Sequence, residues 1–410
     1  MRILFSHNNY PAQFRRLAPA LVAEGHDVVF VHRGAEWHAT PPHGMRLLRY
    51  SLHRAAGAEV LHPYLRRFDA AVLEGQAAFR ACQQLLHEHW QPDVIVSHAG
   101  FGNGLYLADA FPAARRLVLA EWYYNAEGAD VDFLHRGPID HDRRLRLRTW
   151  NAHTLVELAG CDQVVTPTQW QRAQFPQALQ PGIAVVHEGI DWHRLQGLRA
   201  AALPLPLPLQ GQPEVLTYVS RGFEEYRGFP QAMQAIAALQ RRRPRLQVLI
   251  AGSDVVAYGA GRSDGRSWKA WAQSELPLDP GRTHWLGALQ EPEYHALLAC
   301  SDAHLYLTVP FVLSWSLLEA MAAGCSIVAS ATPPVQEVLT HGHSALLVDF
   351  FDVTAQVEAL ERLLDERPLA RRLAARAIEA ARAFDAQLGL AGWKTLLSVD
   401  AHQTAQSACH

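Results

Sequence analysis

The sequence predicts an α/β protein of two domains, each a parallel β-sheet flanked by helices. Three observations point there. The chain has 410 residues, too many for one ordinary core and suited to two domains of roughly 200 residues each. Short apolar runs alternate with stretches of helical periodicity, the rhythm of repeated β-α-β units. A Leu-Pro alternation, Leu203 to Leu209, interrupts that rhythm near the middle, and alternating prolines fit neither a helix nor a central strand. The expected division is 1–200, a linker at 201–213, 214–385, and a closing segment, 386–410, that returns to the first domain.

In the first domain, Arg2 to Ser6 reads as a buried strand. Pro11 to Gly25 follows as a helix, with Pro11 in the first turn, where no N–H is needed, and Gly25 as the stop. Asp27 to His32 is the next strand. Asp93 to Ser97 and Arg116 to Ala120 are further strands, ending at His98 and Glu121; Gln163 to Thr166 and Ala184 to His187 complete the half. In the second domain the strands are Val215–Val219, Leu246–Ala251, His284–Gly287, His304–Thr308, Ser326–Ser330 and, near the sheet edge, Ala345–Val348. Helices are expected at Gln231–Arg241, Glu293–Cys300, Trp315–Ala323, Val353–Leu364 and Ala370–Phe384.

Composition excludes several classes. Hydrophobic residues make up 49% and charged residues 19%, with a net charge of -3, so there is neither wholesale disorder nor the basic excess of a nucleic-acid binder. Lysine occurs only at Lys269 and Lys394, which leaves arginine to supply almost all positive charge. The five cysteines are scattered without a CxxC pair, which argues against a disulfide scaffold or structural zinc. No apolar run reaches the roughly 20 residues of a membrane span, and no secretory apolar segment opens the chain. The expectation is a cytoplasmic protein. Four arginines within Arg241–Arg245 are its candidate for peripheral membrane contact, or else a solvated helix end.

Ligands of parallel α/β sheets bind beyond the carboxyl ends of strands. Arg221 and Arg227 follow a strand and could clamp a diphosphate through charge-assisted hydrogen bonds, or be solvated surface residues. Glu319 sits among small and apolar neighbours on the Trp315–Ala323 helix, where its carboxylate needs a partner such as a ribose diol; an outward-facing glutamate is the plainer alternative. Ser316 and the N–H groups of Ser316 and Leu317, near that helix start, would favour phosphate. His98 could polarise a sugar or acceptor hydroxyl. Glu121-Trp122-Tyr123-Tyr124 is an aromatic cluster suited to carbohydrate C–H surface, or to ordinary packing.

Taken together, these segments resemble the retaining glycosyltransferases of family four, with the GT-B fold of two Rossmann-like domains facing each other across a cleft. The group is glycogen-synthase-like and mannosyltransferase-like. Ser316-Leu317-Leu318-Glu319-Ala320-Met321-Ala322-Ala323-Gly324-Cys325 is similar to the family signature LLEAMAxG. Ser220-Arg221-Gly222 with Arg227-Gly228, His284-Trp285-Leu286-Gly287, Glu188-Gly189-Ile190-Asp191 and Asp93 to His98 match in order. The resemblance implies a nucleoside-diphosphate sugar donor. Arg221 and Arg227 would hold the diphosphate and Glu319 the ribose, with Gly252 bordering the nucleotide. The backbone at Leu286, Gly287 and Ala288 would read the base, and His98 would touch the transferred sugar. It also implies a metal-independent reaction with no cofactor, the leaving phosphate serving as base. Asn9, Tyr10, Glu121, Tyr123 and Tyr124 are candidate sugar or acceptor contacts.

Three positions depart from the family. Phe311 stands where a second glutamate usually contacts the sugar, eight residues before Glu319. His7-Asn8-Asn9-Tyr10-Pro11 replaces a loop with paired glycines, and Glu188 replaces an asparagine. These keep two alternatives open: a nucleotide-sugar epimerase of the same fold, and a catalytically degenerate nucleotide-sugar-binding protein. The nucleotide stays open between UDP and GDP, and the acceptor between glycan, lipid-linked, small-molecule and protein classes.

Overall fold

The structure, a computed structural model, describes residues 1–34, 40–57, 60–135, 138–201 and 214–398. The Leu-Pro linker at 201–213 therefore lies outside the described residues from position 202 on. The chain divides into two compact units. The first is Met1–Gly128, Gly137–Gly189 and the segment from Ala386; the second is Ala129–Arg136 and Ile190–Asp385.

The first unit holds a seven-stranded sheet of β1 (Arg2–Ser6), β2 (Asp27–His32), β3 (Met45–Arg49), β4 (Val94–His98), β5 (Arg115–Leu119), β6 (Gln163–Thr166) and β7 (Ile183–Val185). Their order is β3-β2-β1-β4-β5-β6-β7, and every pair is parallel. The second unit holds β8 (Glu214–Gly222), β9 (Leu246–Ser253), β10 (Thr283–Gly287), β11 (Ala303–Tyr306), β12 (Ile327–Ser330) and β13 (Leu346–Val348). That sheet runs β10-β9-β8-β11-β12-β13, again all parallel. Each unit is Rossmann-like, and the strands are apolar throughout because helices cover both faces of such sheets.

Burial explains where the units change over. Ile190, Leu195 and Leu198 sit in the core of the second unit, so the stretch after Gly189 packs there although its charge-rich sequence suggested the end of the first domain at 200. The Ala129–Arg136 segment joins the second unit through Phe133, whose ring lies 5.2 Å from Phe350 and 5.1 Å from Phe351. The helix Ala386–Ser398 belongs to the first unit, where Trp393 is buried against Phe14.

Two elements escape the sequence pattern. β3 is a short strand with two arginines. The 22-residue helix Arg66–His87 buries Glu74 and Gly75 along its inner face, which breaks the apolar periodicity. Glu74 is satisfied there by the Tyr50 hydroxyl at 2.8 Å and by Arg33 at 2.8 Å. The helix read from Pro11 to Gly25 is instead a 3-10 turn, Ala12–Phe14, and a helix, Leu17–Ala23, with Pro19 in its first turn. β8 extends to Gly222, which puts Arg221 on the strand rather than beyond it.

Glu157, on the helix Ala152–Ala159, is buried beside β4. Its Oε1 accepts the Ser97 hydroxyl at 2.5 Å, and it lines a cavity of about 40 Å³ with Arg116 and Cys161. Burial pushes its carboxyl up to about 7. The unfolded chain releases this proton near the ordinary value of 4.5, so stability falls as pH rises from about 4.5 to 7. Glu157→Gln removes that cost. Urea unfolding of both proteins should show the variant's advantage larger at pH 7.5 than at pH 4.5, by about 3 kcal/mol. An advantage that shrinks with rising pH contradicts the buried acid.

Candidate functional site

Parallel pairing puts the carboxyl ends of β10, β9, β8 and β11 along one edge of the second sheet. The expected nucleotide residues gather there. Leu286, Gly287 and Ala288 close β10, with Gly287 and Ala288 exposed. Gly252 lies on β9 at φ 146°, and a Cβ there would fall 2.0 Å from the Ser220 carbonyl oxygen. Only glycine lets β9 pass β8 this closely.

Arg221 and Arg227 are not equivalent. Arg221 is exposed, with no hydrogen bond or ion pair among the described residues. Arg227 is buried in a 3-10 turn, Glu225–Arg227. Its Nη1 donates to Thr308 Oγ1 at 2.9 Å and to the Val312 carbonyl at 3.3 Å, and its guanidinium lies 5.4 Å from the Tyr258 ring centre. The neighbouring Glu224, unmarked in the sequence reading, is 1% exposed. Its Oε2 accepts the backbone N–H groups of Ala257 and Tyr258 at 2.8 and 2.6 Å, which pins the loop after β9 beside Arg227.

Phe311 is buried, 5.4 Å from Tyr226 and 5.2 Å from Tyr258 by ring centres. The place of the expected glutamate is thus an apolar aromatic contact. Tyr226 donates its hydroxyl to Asp130 at 2.8 Å, so Asp130 is a structural acceptor within the second unit and its spacing to Asp132 forms no metal motif. Among the described residues, no group of three or more His, Cys, Asp or Glu is arranged to hold a metal ion.

The helix Trp315–Ala322 carries Glu319 half-buried, its Oε2 accepting the Tyr294 hydroxyl at 3.0 Å. The N–H of Ser316 is taken by the Ser314 side chain at 3.3 Å and that of Leu317 by the Ser314 carbonyl at 3.2 Å. Ser314 thus caps the helix at both positions.

In the first unit, His98 ends β4 and is 3% exposed. Its Nδ1 accepts the Gly100 N–H at 2.9 Å, and its Nε2 is 3.1 Å from Glu121 Oε2. A side chain at position 100 would strike the ring at 2.6 Å, so glycine there is a condition of the His98 orientation. Glu121 is therefore first a partner of His98, with a quarter of its side chain exposed. The other aromatic candidates mostly pack. Tyr10 is 2% exposed against Phe30 and His32, which makes it core rather than contact. Tyr123 lies on Phe175, and Tyr124 meets Trp150 and accepts from Arg67 at 3.0 Å. Asn9, half-buried, gives its N–H to His7 Nδ1 at 2.9 Å.

Two of the four arginines at 241–245 are paired with carboxylates. Arg243 holds Glu214 at 2.7 and 2.8 Å and Asp365 at 2.8 Å, and Arg242 holds Glu361 at 2.8 Å. Arg241 is exposed, and Arg245, 73% exposed, lies 3.7 Å from Glu214. Among the described residues, no helix is long and apolar enough to cross a membrane.

Residues 24–195 match the glycosyl transferase family 4 group, and residues 205–382 match the glycosyl transferases group 1. The chain is a GT-B glycosyltransferase of the family 4 type. It is 25% identical to a glycogen synthase of Mycobacterium tuberculosis over 413 aligned positions, covering 91% of this chain and 88% of that one. A D-inositol 3-phosphate glycosyltransferase of Nocardioides is 32% identical over 213 positions, covering 49% of this chain and 45% of the relative. In fold, this glycosyltransferase is similar to HepE of Anabaena, solved with UDP and glucose, at TM-score 0.68 and 17% identity, covering 98% and 100% of the two chains.

The unequal arginines give a direct test. Arg227→Ala removes the charged donor held by Thr308 Oγ1 and the Val312 carbonyl and should cost about 1.5–3 kcal/mol of stability. Arg221→Ala should stay within about 0.5 kcal/mol of the parent, as exposed substitutions do. Thermal unfolding of both variants checks this, and equal losses would show that Arg227 is not held as described.

Proposed function

We propose that this glycosyltransferase moves a sugar from a nucleoside-diphosphate donor to a hydroxyl acceptor with retention of configuration, the nucleotide being bound by the second unit. The observation that carries the reading is the assembly along one sheet edge of Arg221, Arg227, the close-passing Gly252, the exposed backbone at 287–288 and the half-buried Glu319. Arginine near the diphosphate stabilises the charge that grows as the sugar bond breaks. Glu319, already ordered by Tyr294, suits a ribose diol as a charged acceptor.

The resemblance to retaining family members supports attack on the face from which the diphosphate leaves, with the leaving phosphate oxygen taking the acceptor proton. No pair of carboxylates is then required. The reading is metal-independent, with arginine in place of a cation, and activity should survive a chelator. His98, on the first unit, is assigned to a sugar hydroxyl. UDP is the first nucleotide to try, because HepE was solved with it. The relatives' names differ in the acceptor they point to, glycogen or an inositol phosphate.

A nucleoside diphosphate or its sugar should raise the melting temperature more than NAD or ATP, since a ligand of the native state stabilises it. Glu319→Gln should weaken nucleotide binding by roughly 10- to 150-fold, the loss of one charge-assisted bond. His98→Ala should leave free nucleotide binding unchanged while transfer falls. Titration calorimetry and initial rates separate the two. Binding of NAD but of no nucleoside diphosphate would reject the donor, and wild-type turnover in both variants would reject the site.

A further inference from the structure

The connection after β9 is long. Asp254 to Ser267 lies between β9 and the helix Trp268–Glu275, where about 2–6 residues is the usual length of a strand-to-helix loop. Its first four residues, Asp254, Val255, Val256 and Ala257, are exposed. Side chains that stay in water cannot hold a loop by burial, so the order of this stretch has to come from its backbone.

The turn after β8 supplies it. The Phe223 N–H reaches the Ser253 carbonyl at 3.1 Å. Gly222 lets the loop pass, since a Cβ there would fall 2.5 Å from the Val255 carbonyl oxygen. Glu224 then takes the N–H groups of Ala257 and Tyr258 on one oxygen, Oε2, at 2.8 and 2.6 Å. Gly259, at φ 72°, lies against the Tyr226 ring, which a Cβ would meet at 2.9 Å. Glu224 is 1% exposed, and its Oε1 makes no hydrogen bond among the described residues. A buried carboxylate is costly unless it is paired. This one spends its hydrogen bonds on the loop, with Arg227 and Arg221 as the nearby cations.

The place of the loop matters because it carries Tyr258. The Arg227 backbone is fixed by the Tyr218 hydroxyl, which donates to its carbonyl at 2.8 Å, and by Gly228, packed on Leu307. Arg227 Nη1 is spent on Thr308 Oγ1 and the Val312 carbonyl, both beyond β11. The Tyr258 ring lies 5.4 Å from the guanidinium carbon and 5.2 Å from the Phe311 ring. An aromatic face within about 6 Å attracts a cation. It also keeps water off that side, which strengthens the arginine's attraction for an anion.

We propose that Glu224 is a positioning residue for the diphosphate of the donor: by clamping Ala257 and Tyr258 it seats the Tyr258 ring on Arg227 and holds that guanidinium in place for the diphosphate. Glu224 itself touches no substrate. The proposal rests on the donor reading and deepens it.

Hydrogen exchange of the full chain, and its calorimetric titration with UDP and GDP, test this. Glu224→Gln keeps a carbonyl oxygen for the two N–H groups and removes the charge. Glu224→Leu keeps the bulk and removes the acceptor. The amides of Ala257 and Tyr258 should stay protected from exchange in Glu224→Gln and lose that protection in Glu224→Leu. The nucleoside diphosphate that binds the parent should bind Glu224→Gln at least as tightly and Glu224→Leu roughly tenfold more weakly. In an Arg227→Ala background Glu224→Leu should cost no further affinity, because the two residues act as one unit. Should Glu224→Leu fail to fold, Tyr258→Leu decides. Tyr258 is half-buried and its N–H stays clamped, so this variant should keep the protection and still weaken the diphosphate roughly tenfold. Protection that survives Glu224→Leu, unchanged affinity in Glu224→Leu or Tyr258→Leu, an equal loss in Glu224→Gln, or a loss that persists without Arg227 would each overturn the positioning role and leave the donor reading standing. A parent that binds neither UDP nor GDP overturns the donor reading, and this proposal with it.

Discussion

Parallel strand pairing is the constraint on which both units depend. A parallel ladder forces every strand of a sheet to end on the same edge, and beyond that edge the backbone turns into loops with unspent N–H and C=O groups. In the second unit this brings Gly252, Arg221, Arg227 and the 286–288 backbone together although they span β8 to β10 in sequence. In the first it brings His7, His98, Glu121 and His187 to one edge from four different strands. Neither grouping needs a special contact to create it; the direction of the ladder does so.

What the two edges do with their charges differs. The second unit buries a permanent cation, Arg227, and compensates it with Thr308, the Val312 carbonyl and the face of Tyr258. Glu224 lies close by and spends its carboxylate on two backbone N–H groups. Positive charge thus persists at this edge, as a diphosphate requires. The first unit removes charge instead. Its histidines are desolvated and neutral where a shift is resolved, and the carboxylate they surround keeps its ionised form through hydrogen bonds.

Much of this was legible in the residues. Strand positions were readable because strands covered on both faces are apolar throughout, and the Ser316–Cys325 segment carried the family resemblance. The helix Arg66–His87 was hidden because Glu74 and Gly75 occupy its buried face. Glu224 was hidden because its partners, the N–H groups of Ala257 and Tyr258, belong to a distant loop and leave no local signature. The cap on the Ser316 and Leu317 N–H groups was hidden because Ser314, one residue before the helix, carries no pattern beyond the residue itself.

The sequence by itself determined the α/β class, the number of units and the residue types available at the strand ends, because these follow from local periodicity and from which side chains can be buried. Only the tertiary structure decided the rest. Whether Arg221 and Arg227 are alike depended on which of them the turn at 225–227 folds inward. Whether Tyr10 is a contact or a core residue depended on Phe30 and His32 across the sheet face. Whether Glu121 faces a ligand alone or through His98 depended on a hydrogen bond spanning β4 and β5. Desolvation and hydrogen-bond partners come from residues distant in sequence, and no local pattern encodes them.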